Sequence, residues 1–241
     1  MMDATAVAYD YRDTVALDWP VADEFAFEPH LTADRCRSDA YLLLKRVFDV
    51  PAAILLLIVL SPLLCVVALL VRMTSPGQAI FRQRRLGRAG REFDCFKFRT
   101  MRPDAEAILR KCPKTLSLYV ENGYKLPEDC DPRITAVGRF LRRSSLDELP
   151  QLFNVIRGEM SLVGPRPIVP DELLQYGQRA DDFLAALPGI TGSWQVGGRS
   201  KVGYPMRAGI ELDYVYRWSP LADLTILCRT VPAVLSRNGA H

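Results

Sequence analysis

An uncharged run from Val50 to Val71 constrains the fold of this 241-residue chain more than any other feature. At about 1.5 Å per residue, the run is long enough to cross a hydrocarbon core of ~30 Å, so a single transmembrane helix is its simplest interpretation. Ser61 and Pro62 stand at the midpoint, where the proline removes a backbone donor and disfavours helical geometry in the residue before it. The sequence therefore predicts two apolar halves joined by a break, and each half spans only about 16 Å.

Basic residues flank this run on both sides. Lys45 and Arg46 precede it, and nine Lys or Arg against two acidic residues lie between Arg72 and Arg102. Because positively charged flanks stay in the cytoplasm, both ends of the run are expected there. We therefore favour a re-entrant helix-break-helix that enters the membrane and returns. A spanning helix, with the freed carbonyls satisfied by serine hydroxyls or neighbouring helices, and a buried helix pair of a soluble protein are the alternatives.

The composition of the whole chain indicates one globular domain with appendages. Apolar residues make up 49% of the chain, which is enough to bury a sizeable core. The six cysteines are scattered without a C-x-x-C pair, and this argues against a zinc site or a disulfide framework. The two histidines, His30 and His241, lie near the termini, so histidine-based catalysis is not expected.

Charge and hydropathy divide the chain into three regions. Residues 1–40 carry nine Asp or Glu against three Arg, so they are predicted to form an acidic mobile tail, with a docking segment as the alternative. Residues 41–75 form the predicted membrane hairpin, and residues 76–238 the cytosolic domain at the membrane interface. The basic start of that domain is expected to face the anionic membrane surface.

The basic segment is also predicted to form a small β-hairpin. Two short β-like runs surround a turn at residues 87–90, and Phe96 and Phe98 alternate with charged residues, as in a half-buried strand. Residues 104–110 are predicted to be helical. Residues 113–132 are predicted to form an irregular connection.

The second half of the chain alternates helical and irregular patterns. Apolar spacing predicts a helix that ends at Gly158, whereas three prolines and a glycine exclude regular helix over residues 161–170. Residues 187–204 are predicted to form a glycine-rich loop. A predicted C-terminal helix places four apolar residues on one face: Leu221, Leu224, Leu227 and Val231. We favour packing of this face against the core, with the membrane as the alternative. The predicted class is α+β, mostly helical, with a re-entrant membrane segment, amphipathic interfacial helices and a small β-hairpin.

A carboxylate pair, Asp147 and Glu148, stands in the stretch RRSSLDELPQ. Ser145-x-x-Glu148 matches a capping box, and on spacing alone this structural interpretation is favoured. Pro150 would start the regular helix near residue 149 and leave both carboxylates at its positive end. That helix end and the preceding arginines are expected to keep both groups ionised at neutral pH. Ionised carboxylates suit a nucleophile or a Mg²⁺ ligand.

The segment Gly164-Pro165-Arg166-Pro167 adds a second candidate feature. Its prolines would hold the loop stiff and present Arg166 as a preorganised guanidinium that binds phosphate oxygens in pairs. Taken alone, a tight turn with a solvated arginine is the simpler interpretation. Together with the carboxylate pair and the membrane hairpin, the loop suggests phosphoryl chemistry at a lipid surface. No Walker-type motif or clean G-x-G-x-x-G is present, so an ordinary nucleotide-binding fold is not supported.

Several segments of the chain, and the order in which they occur, resemble the bacterial sugar transferases, the monotopic phosphoglycosyl transferases that prime polysaccharide assembly. They are KRVFDV, the Ser61-Pro62 pair, FKFRTM, DPRIT with GRFLRRSSLDELPQLFNVIRGEMSLVGPRP, PGITGSWQVGGRS and DLTILCRTVPAVL. The resemblance covers roughly residues 41–238. The short form and the RTVPAVLS ending are most similar to exopolysaccharide-initiating undecaprenyl-phosphate galactose-1-phosphate transferases.

This resemblance implies transfer of a sugar 1-phosphate, galactose or glucose, from a UDP-sugar to undecaprenyl phosphate, with release of UMP. It implies a covalent aspartyl intermediate, Mg²⁺ and a monotopic location at the cytoplasmic face of the bacterial inner membrane. Asp147 would be the nucleophile and Glu148 its partner, with both as metal ligands. Substrate or phosphate contacts would come from Arg142, Arg166, Lys97, Asp223 and Arg199. Membrane lipid is an expected partner, nucleic acid is not, and a homodimer is left open.

Two other functions stay open at this point. A membrane-surface interaction protein, in which the carboxylate pair only caps a helix, predicts no turnover and indifference to Asp147→Asn. A nucleotide-sugar phosphohydrolase would release free sugar phosphate without a lipid acceptor. Such a soluble hydrolase has no reason to carry the apolar run.

Overall fold

The computed structural model describes residues 32–121, 126, 130–197 and 202–235 of the chain. This part is mostly helical and contains two small two-stranded sheets, which confirms the mostly helical α+β class. The helices are α1 (Asp34–Arg37), α2 (Asp39–Thr74), α3 (Ala105–Lys111), α4 (Pro113–Glu121), α5 (Ala136–Arg143), α6 (Gln151–Arg157), α7 (Ala180–Phe183), α8 (Ser193–Gly197), α9 (Met206–Tyr216) and α10 (Pro220–Leu235). The strands are β1 (Ile80–Leu86), β2 (Glu92–Phe98), β3 (Ser161–Val163) and β4 (Gly189–Thr191), and 3₁₀ segments cover Arg88–Gly90, Leu146–Glu148 and Pro170–Arg179.

The predicted β-hairpin is confirmed. Strands β1 and β2 pair in an antiparallel register that begins with Ile80 opposite Phe98. Cys95, Phe96 and Phe98 are buried, whereas Lys97 between them is only half-buried. The apolar residues of β2 therefore pack into the core, and the Lys97 side chain stays partly exposed at the edge of the hairpin.

Two segments that the sequence assigned to irregular structure contain regular elements. Residues 113–121 form α4, and residues 189–197 contain β4 and α8. Strand β4 pairs in parallel with β3. The glycines that suggested a loop instead permit close packing there, because a Cβ on Gly164 would strike the Leu187 carbonyl and one on Gly189 would strike the backbone of Gly164. Strands of three residues form only where such a tertiary partner exists.

Helix α2 runs without interruption for 36 residues, so the predicted break at Ser61-Pro62 is wrong. Pro62 cannot donate to the carbonyl of Ile58, four residues earlier. The Ser61 hydroxyl donates to that carbonyl at 2.8 Å instead. The serine thus supplies the hydrogen bond that the proline removes, and the helix continues through the pair.

One stripe of α2 packs against the rest of the domain along its length. Tyr41 and Ala53 in the first half belong to the larger hydrophobic cluster, and Leu57 packs against it. In the second half, Leu64 packs on a smaller cluster that includes Val67, Val71, Phe98 and Leu141. The stretch between Leu57 and Leu64 is only about 10 Å long. The helix therefore contacts the domain in both of its halves.

The other faces of α2 are apolar and exposed. Only 11% of its most apolar 18-residue window is buried, and among the described helices it is the one long and apolar enough to cross a membrane. Its large exposed side chains include Leu43, Val47, Phe48, Ile54, Leu55, Ile58, Val59, Val66, Leu69 and Met73. An exposed apolar surface of this extent is typical of a helix that contacts a membrane or another protein. The interpretation as a buried helix pair of a soluble protein is therefore wrong.

The first described residues already belong to the packed domain. Ala33 and Cys36 are fully buried in the larger cluster, and the Cys36 thiol lies 3.4 Å from the Val215 carbonyl of α9. Helix α1 therefore belongs to the domain although it lies inside the 1–40 stretch that composition assigned to the tail. Residues 1–31 of that tail lie outside the described residues.

The apolar face of α10 does not pack on the core, contrary to the favoured interpretation. Leu221, Leu224 and Val231 are exposed by 72%, 56% and 62%. The core takes the other side of the helix, where Ile226 is buried and the Thr230 hydroxyl lies 2.8 Å from that of Thr191 in β4. A short contact with β3 and β4 thus orients α10 and leaves its leucines facing outward.

Candidate active site

The Asp147–Glu148 pair lies in the 3₁₀ segment between α5 and α6, not in a helix cap. Ser145 adopts a left-handed conformation with φ 56°, and its side chain caps no helix. The predicted capping box is therefore wrong. The Glu148 carboxylate pairs with Lys97 instead, and the regular helix α6 begins only at Gln151.

Two cations from distant parts of the chain converge on Glu148. The Lys97 ammonium on β2 lies 2.7 Å from Glu148 Oε1. The Arg166 guanidinium, from the loop after β3, lies 3.7 Å from the same oxygen. The structure therefore brings together three of the residues that the sequence singled out. They share one cleft, which is lined by Arg85, Cys95, Lys97, Glu148, Gln151, Arg166, Pro167, Gly189, Ile190 and Gln195.

Asp147 is buried beside this cleft, with 9% of its surface exposed. Burial and the neighbouring Glu148 carboxylate raise the pKa of Asp147 to about 7, against the lowering influence of Lys97, Arg142 and Arg166. Asp147 is therefore only partly ionised at neutral pH, whereas the sequence predicted that both carboxylates are fully ionised. A 3₁₀ turn supplies less of the helix dipole than a regular helix end, and desolvation outweighs the cations.

Arg142 is held by the packing of α5 against the end of the hairpin. Its Nε donates to the Thr100 hydroxyl at 2.9 Å, and the Thr135 N–H donates to the Thr100 carbonyl at 3.0 Å. Gly138 makes this approach possible, because a Cβ there would strike the Thr100 backbone. Arg142 is thereby placed where its charge acts on the Asp147 carboxyl.

Three polar residues of the cleft were not singled out from the sequence. Gln151 follows the carboxylate pair within the same motif, and this proximity was a usable signal. Arg85 and Gln195 reach the cleft from β1 and α8. Their positions depend on tertiary packing, so no local pattern indicates them.

Asp223, another predicted site residue, is not among those that line the cleft. Asp223 joins α10 to α2 instead, because its carboxylate lies 2.6 Å from the Lys45 ammonium and accepts hydrogen bonds from Tyr214 and Trp218. Lys45, on α2, is itself buried, with 3% of its surface exposed. Arg199 lies outside the described residues, so its predicted contact has no structural counterpart here.

The carboxylate pair also fits the predicted Mg²⁺. Among the described residues, no group of three or more His, Cys, Asp or Glu side chains could hold a metal ion. Asp147 and Glu148 nevertheless offer hard oxygen donors, and a divalent cation relieves the repulsion between adjacent carboxylates. Mg²⁺ commonly takes one or two protein carboxylates and completes its shell with substrate phosphates and water. The donor set therefore suits Mg²⁺ bound together with a phosphorylated substrate.

The raised pKa of Asp147 predicts a loss of stability with rising pH in metal-free buffer. The folded protein holds this proton up to about pH 7, whereas an unfolded Asp releases it near pH 3.9. The stabilisation is therefore complete below about pH 4 and is lost as the pH rises to about 7. We expect the free energy of unfolding to fall by about 2–3 kcal/mol more in the wild type than in Asp147→Asn between pH 5 and pH 8.

Thermal unfolding in detergent with EDTA measures this difference. Asp181→Asn is the control, because Asp181 is an exposed carboxylate of the same domain. Parallel pH profiles for the wild type and Asp147→Asn would contradict the raised pKa.

Comparison with known proteins identifies relatives over most of the chain. The chain matches a family model described as bacterial sugar transferase over residues 40–237. It is 47% identical over 198 residues to the exopolysaccharide production protein ExoY of Sinorhizobium fredii, a match covering 82% of this chain and 88% of that protein. It is also 47% identical over 203 residues to the undecaprenyl-phosphate galactose phosphotransferase of Salmonella typhimurium, covering 82% of this chain.

The relatives differ in length. The chain spans 42% of the Salmonella protein. A UDP-glucose:undecaprenyl-phosphate glucose-1-phosphate transferase of Caulobacter vibrioides is 42% identical over 207 residues, and the match covers 82% of this chain and 72% of that protein. The matched region contains the cleft, the carboxylate pair and helix α2. The chain belongs to the bacterial sugar transferase family.

Proposed function

We propose that the protein transfers a sugar 1-phosphate from a UDP-sugar to undecaprenyl phosphate, with release of UMP, as the priming step of exopolysaccharide synthesis. The relatives' names, which include galactose and glucose transferases acting on undecaprenyl phosphate, support the substrates. The observation that carries the proposal is the buried Asp147 beside Glu148, with three cations close to it. Galactose or glucose is the expected sugar.

In the proposed reaction, an Asp147 oxygen attacks the phosphorus that carries the sugar. The bond between that phosphorus and the bridging oxygen breaks, and UMP leaves with the bond's electrons. The phosphoryl-sugar then stays on Asp147 until a phosphate oxygen of the lipid attacks the same phosphorus and frees the carboxylate. A single carboxylate thus takes the phosphoryl-sugar from the donor and passes it to the acceptor, which predicts ping-pong kinetics.

The cations of the cleft make this reaction between anions feasible. Lys97 and Arg166 lie within 3.7 Å of Glu148, and the Arg142 charge also favours the ionised form of Asp147. Such preorganised cations offset the repulsion between a carboxylate and a diphosphate. Mg²⁺, held by Asp147 and Glu148, would polarise the phosphoryl oxygens. The residues that line the cleft would then keep both substrates aligned.

The packing of α2 supports a monotopic placement at the cytoplasmic face of the inner membrane. Both halves of α2 contact the same domain, so the helix would lie along the domain in one leaflet without crossing to the other. The Lys45–Asp223 pair ties α2 to α10, whose exposed leucines would lie in the membrane interface as an amphipathic helix. The site would thus meet a soluble nucleotide sugar and a lipid-confined phosphate at one surface.

A lipid-dependence assay tests this function. Purified protein in detergent receives UDP-galactose, Mg²⁺ and undecaprenyl phosphate, and UMP and lipid-linked sugar are measured. We expect continued formation of both products only with the lipid acceptor in excess of enzyme, and without it a single release of about one UMP per active site. A panel of UDP-sugars identifies the donor, and omission of Mg²⁺ with EDTA tests the metal.

The assay also separates the alternatives. Continuous release of free sugar phosphate, over many turnovers without lipid, would indicate a phosphohydrolase. No turnover with any UDP-sugar would favour a membrane-surface interaction protein.

A further inference from the structure

A buried carboxylate lies behind the cleft and takes no part in the mechanism described above. Glu211 on α9 is 1% exposed. Its Oε1 accepts a hydrogen bond from the Arg166 backbone N–H at 3.0 Å, and its Oε2 accepts one from the Tyr176 hydroxyl. A carboxylate this buried is costly unless it is partnered. Its partners therefore indicate what it stabilises.

The bond to Arg166 is the important one, because of the flanking prolines. Pro165 and Pro167 have no backbone N–H, so the Arg166 N–H is the one backbone donor that this tripeptide offers. That donor is used entirely by Glu211. On the other side, the Arg85 guanidinium donates to the Pro167 carbonyl at 3.3 Å. Two side chains thus hold the loop backbone on both sides of the Arg166 side chain.

The two anchors are linked by a chain of charges. Arg207 lies 3.4 Å from Glu211 and 3.5 Å from Glu172, and Glu172 lies 3.3 Å from Arg85. Arg207 is 5% exposed. Alternating charges at these distances hold each other in place, so Glu211 cannot shift without disturbing the Arg85 anchor.

Aromatic rings complete this support. The Arg207 guanidinium lies between Trp194 and Tyr204, at 4.5 and 4.7 Å from the ring centroids. The Arg166 guanidinium lies over the same Trp194 ring at 5.7 Å. Trp194 therefore contacts both Arg166, which lines the cleft, and Arg207, which neutralises Glu211.

We propose that Glu211 is a positioning residue that, through the Arg166 N–H and Arg207, aims the Arg166 guanidinium at the substrate diphosphate. This inference rests on the proposed function for the identity of the ligand. Arg166 touches the ligand and Glu211 does not. Removing Glu211 should therefore weaken phosphate binding only as long as the Arg166 side chain is present.

A double-mutant cycle tests this dependence. We expect Glu211→Ala to raise the KM for the UDP-sugar about 10-fold or more in the wild-type background. In an Arg166→Ala background, which itself raises KM, the same change should alter KM less than about 3-fold. Glu211→Gln keeps an acceptor oxygen for the Arg166 N–H and should restore most of the affinity. Glu106→Ala, at a carboxylate exposed by 89%, is the control.

Two further measurements keep the result interpretable. Glu211→Asp is the milder variant if Glu211→Ala does not fold, and its KM should likewise depend on Arg166. Calorimetric binding of pyrophosphate to the same variants does not require turnover, so it tests Glu211 even if sugar transfer fails. Equal losses in both Arg166 backgrounds, or no loss in either, would overturn the proposal.

Discussion

Replacing Asp147 by asparagine is expected to lower lipid-dependent UMP release by about 10⁴-fold or more, because the amide cannot form the acyl phosphate. The amide keeps the size of the side chain and removes the repulsion from Glu148, which raises the pKa of Asp147 in the wild type. The variant should therefore fold at least as well as the wild type at pH 8. Loss of activity without loss of stability would locate the effect in the chemistry.

Labelled UDP-sugar provides the decisive measurement for Asp147. Without a lipid acceptor, the wild type should release about one UMP per active site and retain the labelled sugar phosphate on the protein. Asp147→Asn should show neither, whereas Asp181→Asn should behave as the wild type. Labelled protein from Asp147→Asn would contradict the assignment of the nucleophile and would direct attention to Glu148.

Replacing Lys45 by methionine is expected to destabilise the protein by about 3–5 kcal/mol, because it leaves the Asp223 charge without its cation. Besides the pair with Asp223 at 2.6 Å, the Lys45 ammonium donates to the Val163 carbonyl at 2.7 Å and to the Tyr214 hydroxyl at 3.1 Å. Methionine fills similar space but makes none of these bonds. Because Val163 leads directly into Gly164, the loop that carries Arg166 should also lose order.

Thermal unfolding in detergent, followed by tryptophan fluorescence, measures this effect. Trp218 reports on the site because its ring N–H donates to Asp223 at 3.1 Å, and the expected decrease in Tm is about 10 °C. Lys114→Met, at an exposed lysine, is the matched control. The double variant Lys45→Met/Asp223→Asn should recover part of the loss, since no unpaired charge remains. Losses that simply add would contradict a direct coupling between the two residues.

Part of the active site could be predicted because its residues lie close together in the sequence or in distinctive motifs. Asp147, Glu148, Arg142 and Arg166 were identified from charge, proline and glycine patterns, and the structure places Glu148 and Arg166 in one cleft. Local patterns failed where a long-range contact competes with a local one. Ser145 and Glu148 match a capping box, but Lys97 binds the glutamate from another element.

The apolar run shows the same division. Its length and basic flanks indicated membrane contact, and the exposed apolar faces of α2 agree with that. The Ser61-Pro62 pair does not interrupt the helix, because the Ser61 hydroxyl supplies the hydrogen bond that the proline removes. The outward face of α10 was also beyond local prediction, since periodicity identifies an apolar stripe but not its partner.

The sequence by itself thus determined the family, the long apolar helix, the hairpin and the candidate carboxylates, because each depends on local periodicity or on a contiguous motif. Only the tertiary structure decided which groups surround those carboxylates. Burial of Asp147 raises its pKa to about 7, and Glu211 reaches Arg166 across 45 residues of chain. Desolvation and long-range hydrogen bonds arise from packing, and neither is encoded in the residues adjacent to the site.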